Sequence, residues 1–254
     1  MSKILLLGAS GYIGSYFHKE LLKRGKDVVP LSRKEVDYRD FNQLQKYIRQ
    51  HLNGNVDFLI NAAGYTGKPN VDKCEVEKAE TIKGNLMLPQ MISIVSAIEG
   101  FHWLQVGTGC IYDGDNHGQG YTEDDVPNFT FENQNCSFYS GIKAVAEKLI
   151  KDDPRCYIAR LRIPFNNVDN PRNYITKLLS YEKTYDNINS LSHIGDYVSA
   201  CIDLYQEKCS TGIYNITNCG SIRTREVVEM IKDILKPDKE FVFFENDEDF
   251  NLTV

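Results

Sequence analysis

Residues 3–14 read KILLLGASGYIG: an apolar run from Lys3 to Leu7 breaks into Gly8, Gly11 and Gly14, spaced GxxGxxG. An amphipathic stretch from Tyr12 to Arg24 follows at once, so the glycines form a turn between a strand and a helix. The same alternation repeats downstream. Strands are expected at Val28 to Leu31, Val56 to Ile60, Trp103 to Val106 and Tyr157 to Ile163. Helices are expected at about Asp40 to His51, in two segments across about Asp72 to Ala97, and at Phe138 to Ile150. Strand and helix in turn predict an α/β fold, a doubly wound parallel sheet covered by helices on both faces, with right-handed crossovers.

After Pro164 the pattern changes. Asn and Asp crowd 166–173 and 186–189, and helical segments near Ile175 to Tyr181, His193 to Glu207 and Thr224 to Leu235 are separated by short strand candidates. This predicts a main domain over 1–164, to which 190–215 returns, and a small C-terminal substrate-binding lobe made of 165–189 and 216–254. The whole chain has 254 residues, 42% hydrophobic and 25% charged, which suits an ordinary globular enzyme. Its net charge of -6 argues against a nucleic-acid partner, which would need clustered cations. No segment has the layout of a signal peptide or the apolar length of a membrane span, so a cytoplasmic protein with no membrane partner is expected. The seven cysteines are odd in number, without CxxC and without a histidine cluster, so neither disulfides nor a metal site is expected. Most of these cysteines read as small buried hydrophobes. His102, His117 and His193 lack partner spacing, and His193 reads as opening the next helix.

The glycine turn has a chemistry of its own. Gly8 permits the tight turn, Gly11 lets a pyrophosphate approach the backbone, and Gly14 lets helix pack on strand. The helix N-terminus beyond them offers N–H donors and a positive dipole end to phosphates. Between a first strand and a first helix this spacing reads as a Rossmann dinucleotide site, with Ser10, Tyr12 and Ile13 among its contacts. The end of the second strand selects the cofactor. Ser32, Arg33 and Lys34 present a hydroxyl and two cations, which suit the extra phosphate of NADPH, with Asp37 close behind. Asp27 lies before that strand, poorly placed to reverse the choice.

Tyr139-Ser140-Gly141-Ile142-Lys143 is a YxxxK at a helix start, and residues four apart share a helix face. A lysine ammonium beside the phenol is expected to lower the tyrosine pKa from about 10, as suits an acid that protonates a carbonyl oxygen. Thr108, just after the fourth strand, adds a hydroxyl that can hold such a carbonyl.

With these residues in place, the sequence resembles the extended short-chain dehydrogenase/reductase family across almost its whole length. In that family the matching positions are a catalytic set, here Thr108, Tyr139 and Lys143. A helix asparagine, here Asn85, and a backbone passage beside the cofactor, here Ala62, Ala63 and Gly64, also match, and Pro164 is expected to face the cofactor. Closer still, the chain is similar to dTDP-4-dehydrorhamnose reductases and to UDP-4-keto-6-deoxyglucose 3,5-epimerase/4-reductases. The segments that carry this are NAAGYTGKPNVDKCE (61–75), GTGCIYDG (107–114), PNFT (127–130), FYSGIKAVAE (138–147), NPRNYITK (170–177) and TGIYNITN (211–218). The resemblance implies a UDP- or dTDP-linked sugar substrate and an upstream 4,6-dehydratase, and it implies a homodimer, since many such relatives are dimers. It implies substrate contacts from Tyr65, Thr66, Thr108, Cys110, Asn166, Arg172 and Asn173. For Arg172 and Asn173, contact with the diphosphate and simple packing at a helix start remain alternatives. Such relatives usually run some tens of residues past the position of Val254, and that segment would belong to the lobe.

The resemblance also gives Cys110 and Lys177 a meaning. Inverting C3 and C5 of a 4-keto sugar needs one group to remove a proton and another to return it on the opposite face. Similar bifunctional enzymes, GDP-fucose synthase included, place a cysteine in a GCIY-type motif, which here is Cys110. The epimerase/reductases most like this chain draw a lysine from the NPRN-ITK segment, here Lys177. A core thiol at Cys110, and a surface or diphosphate-binding lysine at Lys177, are the plainer alternatives. Two further readings stay open: a reductase without epimerase activity, and a non-catalytic NADP-binding regulatory subunit. Against the second stands the retained Tyr139–Lys143 pair.

Overall fold

A computed structural model describes residues 3–68, 70–133, 136–235 and 237–245. The last part of the expected lobe, 246–254, lies outside the described residues, as does Pro69 of the 61–75 segment. Strand β1 (Lys3–Leu7) enters α1 (Tyr12–Lys23) through the glycine turn, and β2 (Asp27–Leu31) enters α2 (Phe41–His51). The first helix buries Gly14, Phe17 and Leu21 on one face. The second is capped by Asp40, whose carboxylate accepts the Gln43 N–H at 2.9 Å, and buries Leu44 and Ile48. Next come β3 (Val56–Asn61), the short α3 (Lys73–Val76) and α4 (Lys78–Ile82), a π turn at Lys83–Met87, and α5 (Leu88–Glu99). Strand β4 (His102–Thr108), α6 (Phe138–Ile150) and β5 (Cys156–Leu161) complete the first half.

The second half contains β6 (Pro164–Phe165), α7 (Tyr174–Ser180), β7 (Lys183–Thr184), β8 (Ile188–Asn189), β9 (Ser192–His193) and α8 (Ile194–Gln206). It continues through β10 (Gly212–Asn215), β11 (Ile222–Arg223), α9 (Thr224–Leu235) and β12 (Val242–Phe243). The main sheet is parallel throughout, in the order β10-β5-β4-β3-β1-β2. The chain moves outward from β1 to β2, then crosses back to place β3 on the other side of β1. That reversal leaves a crevice beyond the carboxyl ends of β1 and β3, where ligands of doubly wound sheets bind.

Alternate residues of each strand feed opposite cores. Leu5, Leu7, Leu59, Trp103 and Ile158 pack with α2 and α5, whereas Ile4, Leu6, Phe58, Leu104 and Tyr157 pack with α1 and α8. A separate small core joins Leu178, Val227, Val228 and Ile231 with Tyr174, Ile222, Phe241 and Phe243. Between sheet and α6 lies a buried ion pair, Arg160 Nη2 to Glu147 Oε1 at 2.5 Å. No described helix is long and apolar enough to cross a membrane.

Four details depart from the sequence reading. Asp27 is the first residue of β2 rather than a residue before it, though it remains at the end away from Lys34. The fifth strand stops at Leu161, because Ile163 takes a left-handed φ of 42° and cannot continue a ladder. The helix around Asn85 is broken into four pieces; Pro89 has no N–H to offer the carbonyl four residues back, at Asn85. Finally, only Cys74, Cys156 and Cys201 are buried, while Cys209 and Cys219 are exposed. His193 does open a helix, as the N-cap of α8.

Candidate active site

The glycine turn is as tight as its sequence requires. Gly8 has φ +78°, and a Cβ there would lie 2.7 Å from the Ala63 nitrogen. A Cβ on Gly14 would lie 2.0 Å from the Gly8 carbonyl oxygen. Strand β1, the Ala62–Ala63 passage and α1 therefore meet at backbone distance. Gly11 forms the N-cap of α1 without a side-chain cap, which leaves the first-turn N–H groups facing the crevice. This cradle fits a dinucleotide pyrophosphate.

At the end of β2, Arg33 and Lys34 are exposed and Ser32 is half-buried. The Ser32 hydroxyl, and after it the Ser32 N–H that donates to Glu35 Oε2 at 3.1 Å, hold the Glu35 carboxyl below the usual carboxylate range. Asp37 is tied to Arg39, whose Nε lies 3.0 Å from Asp37 Oδ1, and Arg39 reaches on to Glu80. Asn85 is buried and turned to the passage: its Oδ1 accepts the Tyr65 N–H at 3.0 Å and its Nδ2 donates to the Tyr65 carbonyl at 2.6 Å. It shapes the run Ala62–Gly64 rather than facing a ligand with its amide. Tyr65 is half-buried and Thr66 exposed at the end of that run.

The reactive groups gather at the carboxyl end of β4. Thr108 is buried there, and its Oγ1 accepts the Cys110 N–H at 3.1 Å. Tyr139 and Lys143 reach the same place from α6, whose N-cap, Ser137, accepts the Ser140 N–H. Lys143 Nζ donates to the Val106 carbonyl at 3.1 Å. Burial lowers its pKa to about 8, against the opposing pull of Glu147 and Cys110. The Tyr139 phenol is pushed up, mainly by desolvation and then by the neighbouring thiols of Cys110 and Cys74. This corrects the expectation that Lys143 lowers it: the cation that does oppose the rise is Arg172. Here burial outweighs the spacing rule.

The lobe supplies the remaining candidates. Lys177, on α7, is half-buried, and desolvation followed by the charge of Arg172 lowers its pKa; Cys110 and Asp72 oppose the shift. Cys110 thus lies within electrostatic reach of Tyr139, Lys143 and Lys177 together. Arg172 bridges lobe and main domain, donating through Nη1 to the Thr66 carbonyl at 3.2 Å and through Nη2 to Gly67. Asn166 and Asn173 are buried and engaged with each other, Nδ2 of Asn173 lying 3.0 Å from Oδ1 of Asn166. Asn173 also caps α7, and Asn166 donates to the Tyr16 hydroxyl at 2.6 Å. Their side chains join the lobe to α1. Pro164 pairs with Ser192 in the short β6–β9 ladder. Sequence reasoning missed Arg162, whose Nη1 lies 3.2 Å from Cys110 Sγ. Among the described residues no cluster of His, Cys, Asp and Glu could hold a metal ion.

Comparison with known proteins agrees with this fold. Residues 2–242 match the family model described as the RmlD substrate binding domain. A bifunctional dTDP-4-dehydrorhamnose 3,5-epimerase/dTDP-4-dehydrorhamnose reductase of Arabidopsis thaliana is 38% identical over 70% of this chain and 60% of its own length. A trifunctional UDP-glucose 4,6-dehydratase/3,5-epimerase/reductase of the same plant is 32% identical over 99% of this chain but only 37% of its own length. The chain therefore spans under two thirds of these curated relatives. Among solved structures, the L780 UDP-rhamnose synthase of Acanthamoeba polyphaga mimivirus superposes with a TM-score of 0.87 at 29% identity, covering 98% of this chain and 86% of that one. A dTDP-4-dehydrorhamnose reductase of Bacillus anthracis in complex with NADP shares the fold, with a TM-score of 0.79 at 21% identity, covering 97% and 86%.

Proposed function

We propose, from the premise that this chain belongs to the RmlD substrate binding domain family, that it inverts C3 and C5 of UDP-4-keto-6-deoxyglucose and reduces C4 with NADPH. The observation that carries this reading is the meeting of Cys110, Tyr139, Lys143 and Lys177 at one place, contributed by the end of β4, α6 and α7. The names of the relatives, several of which combine epimerase and reductase activities, support it.

Gly8, Ser10, Gly11, Tyr12, Ile13 and Gly14 hold the cofactor pyrophosphate, and Ser32, Arg33 and Lys34 its additional phosphate. Bound there, NADPH supplies the hydride for C4. Cys110 and Lys177 approach the sugar from separate elements, so each serves a different face. One takes a proton from the carbon beside the ketone, and the electron pair of that C–H bond moves to O4. The Thr108 and Tyr139 hydroxyls stabilise the resulting oxyanion. The other group returns a proton on the opposite face. A lowered Lys177 pKa enlarges the neutral amine fraction that can act as a base. Tyr139, kept protonated by its raised pKa, delivers its phenolic proton to O4 when C4 is reduced. The ketone itself must come from a 4,6-dehydratase.

The test is turnover of UDP-4-keto-6-deoxyglucose with NADPH by the purified chain. UDP-rhamnose is the expected product. A 6-deoxy sugar with C3 and C5 unchanged would leave only the reductase, and no oxidation of NADPH would overturn the reductase activity.

A further inference from the structure

Arg162 lies one residue beyond the end of β5 and is held on every side. Its backbone N–H donates to Ser192 Oγ at 2.9 Å, and Ser192 Oγ donates in turn to the Ile216 carbonyl at 2.8 Å. The next residue, Ile163, has a φ of 42°, rare for a β-branched side chain, which turns the chain away and leaves Arg162 at the bend. Its side chain lies along Gly109, where an added Cβ would sit 3.4 Å from Arg162 Cδ. Gly109 is itself bonded to the end of β5, its N–H donating to the Leu161 carbonyl at 2.9 Å.

The guanidinium at the end of that side chain is shared between two partners. Nε and Nη2 both donate to Asn189 Oδ1, at 3.0 and 2.5 Å, from the lobe strand β8. Nη1 donates to Cys110 Sγ at 3.2 Å. Tyr139 and Lys143 on α6 and Lys177 on α7 lie within electrostatic reach of the same thiol. Both lysines have lowered pKa values, whereas a guanidinium keeps its charge across the working range of an enzyme.

We propose that Arg162, clamped by Asn189, is the positioning residue for Cys110: it aims the sulfur and balances its charge while a proton moves between sulfur and sugar carbon. The inference rests on the reading of Cys110 as a proton-exchange group. In that step the C–H bond breaks, its electron pair passes to the ketone oxygen, and an S–H bond forms. The reverse step returns a proton to carbon and the negative charge to sulfur. Arg162 keeps its positive charge throughout, so it faces a charged sulfur before the proton is taken up and again once it has been returned.

Arg162→Gln, Arg162→Lys, Asn189→Ala and Cys110→Ala would be compared with the unaltered chain, with NADPH where reduction is measured. Three rates are read: deuterium uptake from D₂O at C3 and C5 of UDP-4-keto-6-deoxyglucose, reduction of the pre-epimerised ketone, and iodoacetamide alkylation followed on the Cys110 peptide. Arg162→Gln is expected to lose roughly 10–100-fold in deuterium uptake and in alkylation, the range of one charge-assisted hydrogen bond. Its loss in reduction should be smaller by at least roughly tenfold. Arg162→Lys should recover part of both losses, and Asn189→Ala, which keeps the cation but frees it, should fall between. Deuterium uptake that survives Arg162→Gln but not Cys110→Ala would overturn the role of Arg162. An equal loss of uptake and reduction, with no recovery in Arg162→Lys, would overturn it too. If Cys110→Ala itself still takes up deuterium, the fault lies with the assignment of Cys110, and both readings fall.

Discussion

Tyr139 and Lys143 share one helix and one effect: burial pushes the phenol up and the ammonium down. Desolvation raises the phenol and lowers Lys143 to about 8, so both shifts disfavour charge at this place. In Tyr139→Phe the proton donor to O4 is gone, and reduction of a 4-keto sugar should slow by roughly 10²–10⁴-fold in steady-state kinetics. An unchanged rate would remove Tyr139 from the reaction. Lys143 also ties stability to pH. Its folded pKa lies below the unfolded value of about 10.4, so between about 8 and that value the unfolded chain binds more protons than the folded one. The desolvation cost of the charged lysine is fully present below pH 8 and fades as pH rises through that window. Denaturant unfolding of the native chain against Lys143→Met should therefore show a gap that shifts in favour of the native lysine between pH 7 and pH 10. The spacing Tyr139–Lys143 and the GxxGxxG turn were legible in the sequence because each is local, five and seven residues long. Arg162 was not legible: its partners, Cys110 and Asn189, lie 52 and 27 positions away, and only the turn at Ile163 brings them together. The direction of the Tyr139 shift was likewise hidden, since spacing shows a neighbour but not the burial that outweighs it.

Among the elements, α1 and the π turn do the most to shape the crevice. Strand β1 and α1 approach so closely that Gly14 has no room for a methyl group, the Gly8 oxygen lying 2.0 Å from where it would be. Gly14→Ala should force strand and helix apart, cost about 1–3 kcal/mol in denaturant unfolding, and abolish binding of NADPH in a titration followed by its fluorescence. Retained binding would contradict the placement of the pyrophosphate. The element pattern itself was readable: α6 and α9 begin and end where periodicity predicts. The break at Asn85 was not. Pro89 marks where the helix must lose a hydrogen bond, but the sequence does not show that the Asn85 amide in that break pairs with both backbone groups of Tyr65.

At the scale of the whole molecule, the small core around α7 and α9 must stay in register with the main sheet for Cys110, in the turn after β4, to meet Lys177, on α7. Arg172 to Thr66 and Gly67, Asn166 to Tyr16, and Arg162 to Asn189 are among the polar ties between them. Beneath them the Arg160–Glu147 pair anchors β5 to α6, with Arg160 only 2% exposed. Glu147→Leu would leave that guanidinium buried beside an apolar neighbour and should destabilise the chain by about 3–5 kcal/mol, read from the midpoint of denaturant unfolding. A shift near zero would show the pair to be dispensable. In the proposed reaction one chain moves protons at C3 and C5 through Cys110 and Lys177 and then reduces C4. Its most direct test is NMR of the sugar formed from UDP-4-keto-6-deoxyglucose and NADPH in D₂O. The account predicts UDP-rhamnose carrying deuterium at both C3 and C5, with the label lost in Cys110→Ala. A reduced sugar free of deuterium at those carbons would contradict it.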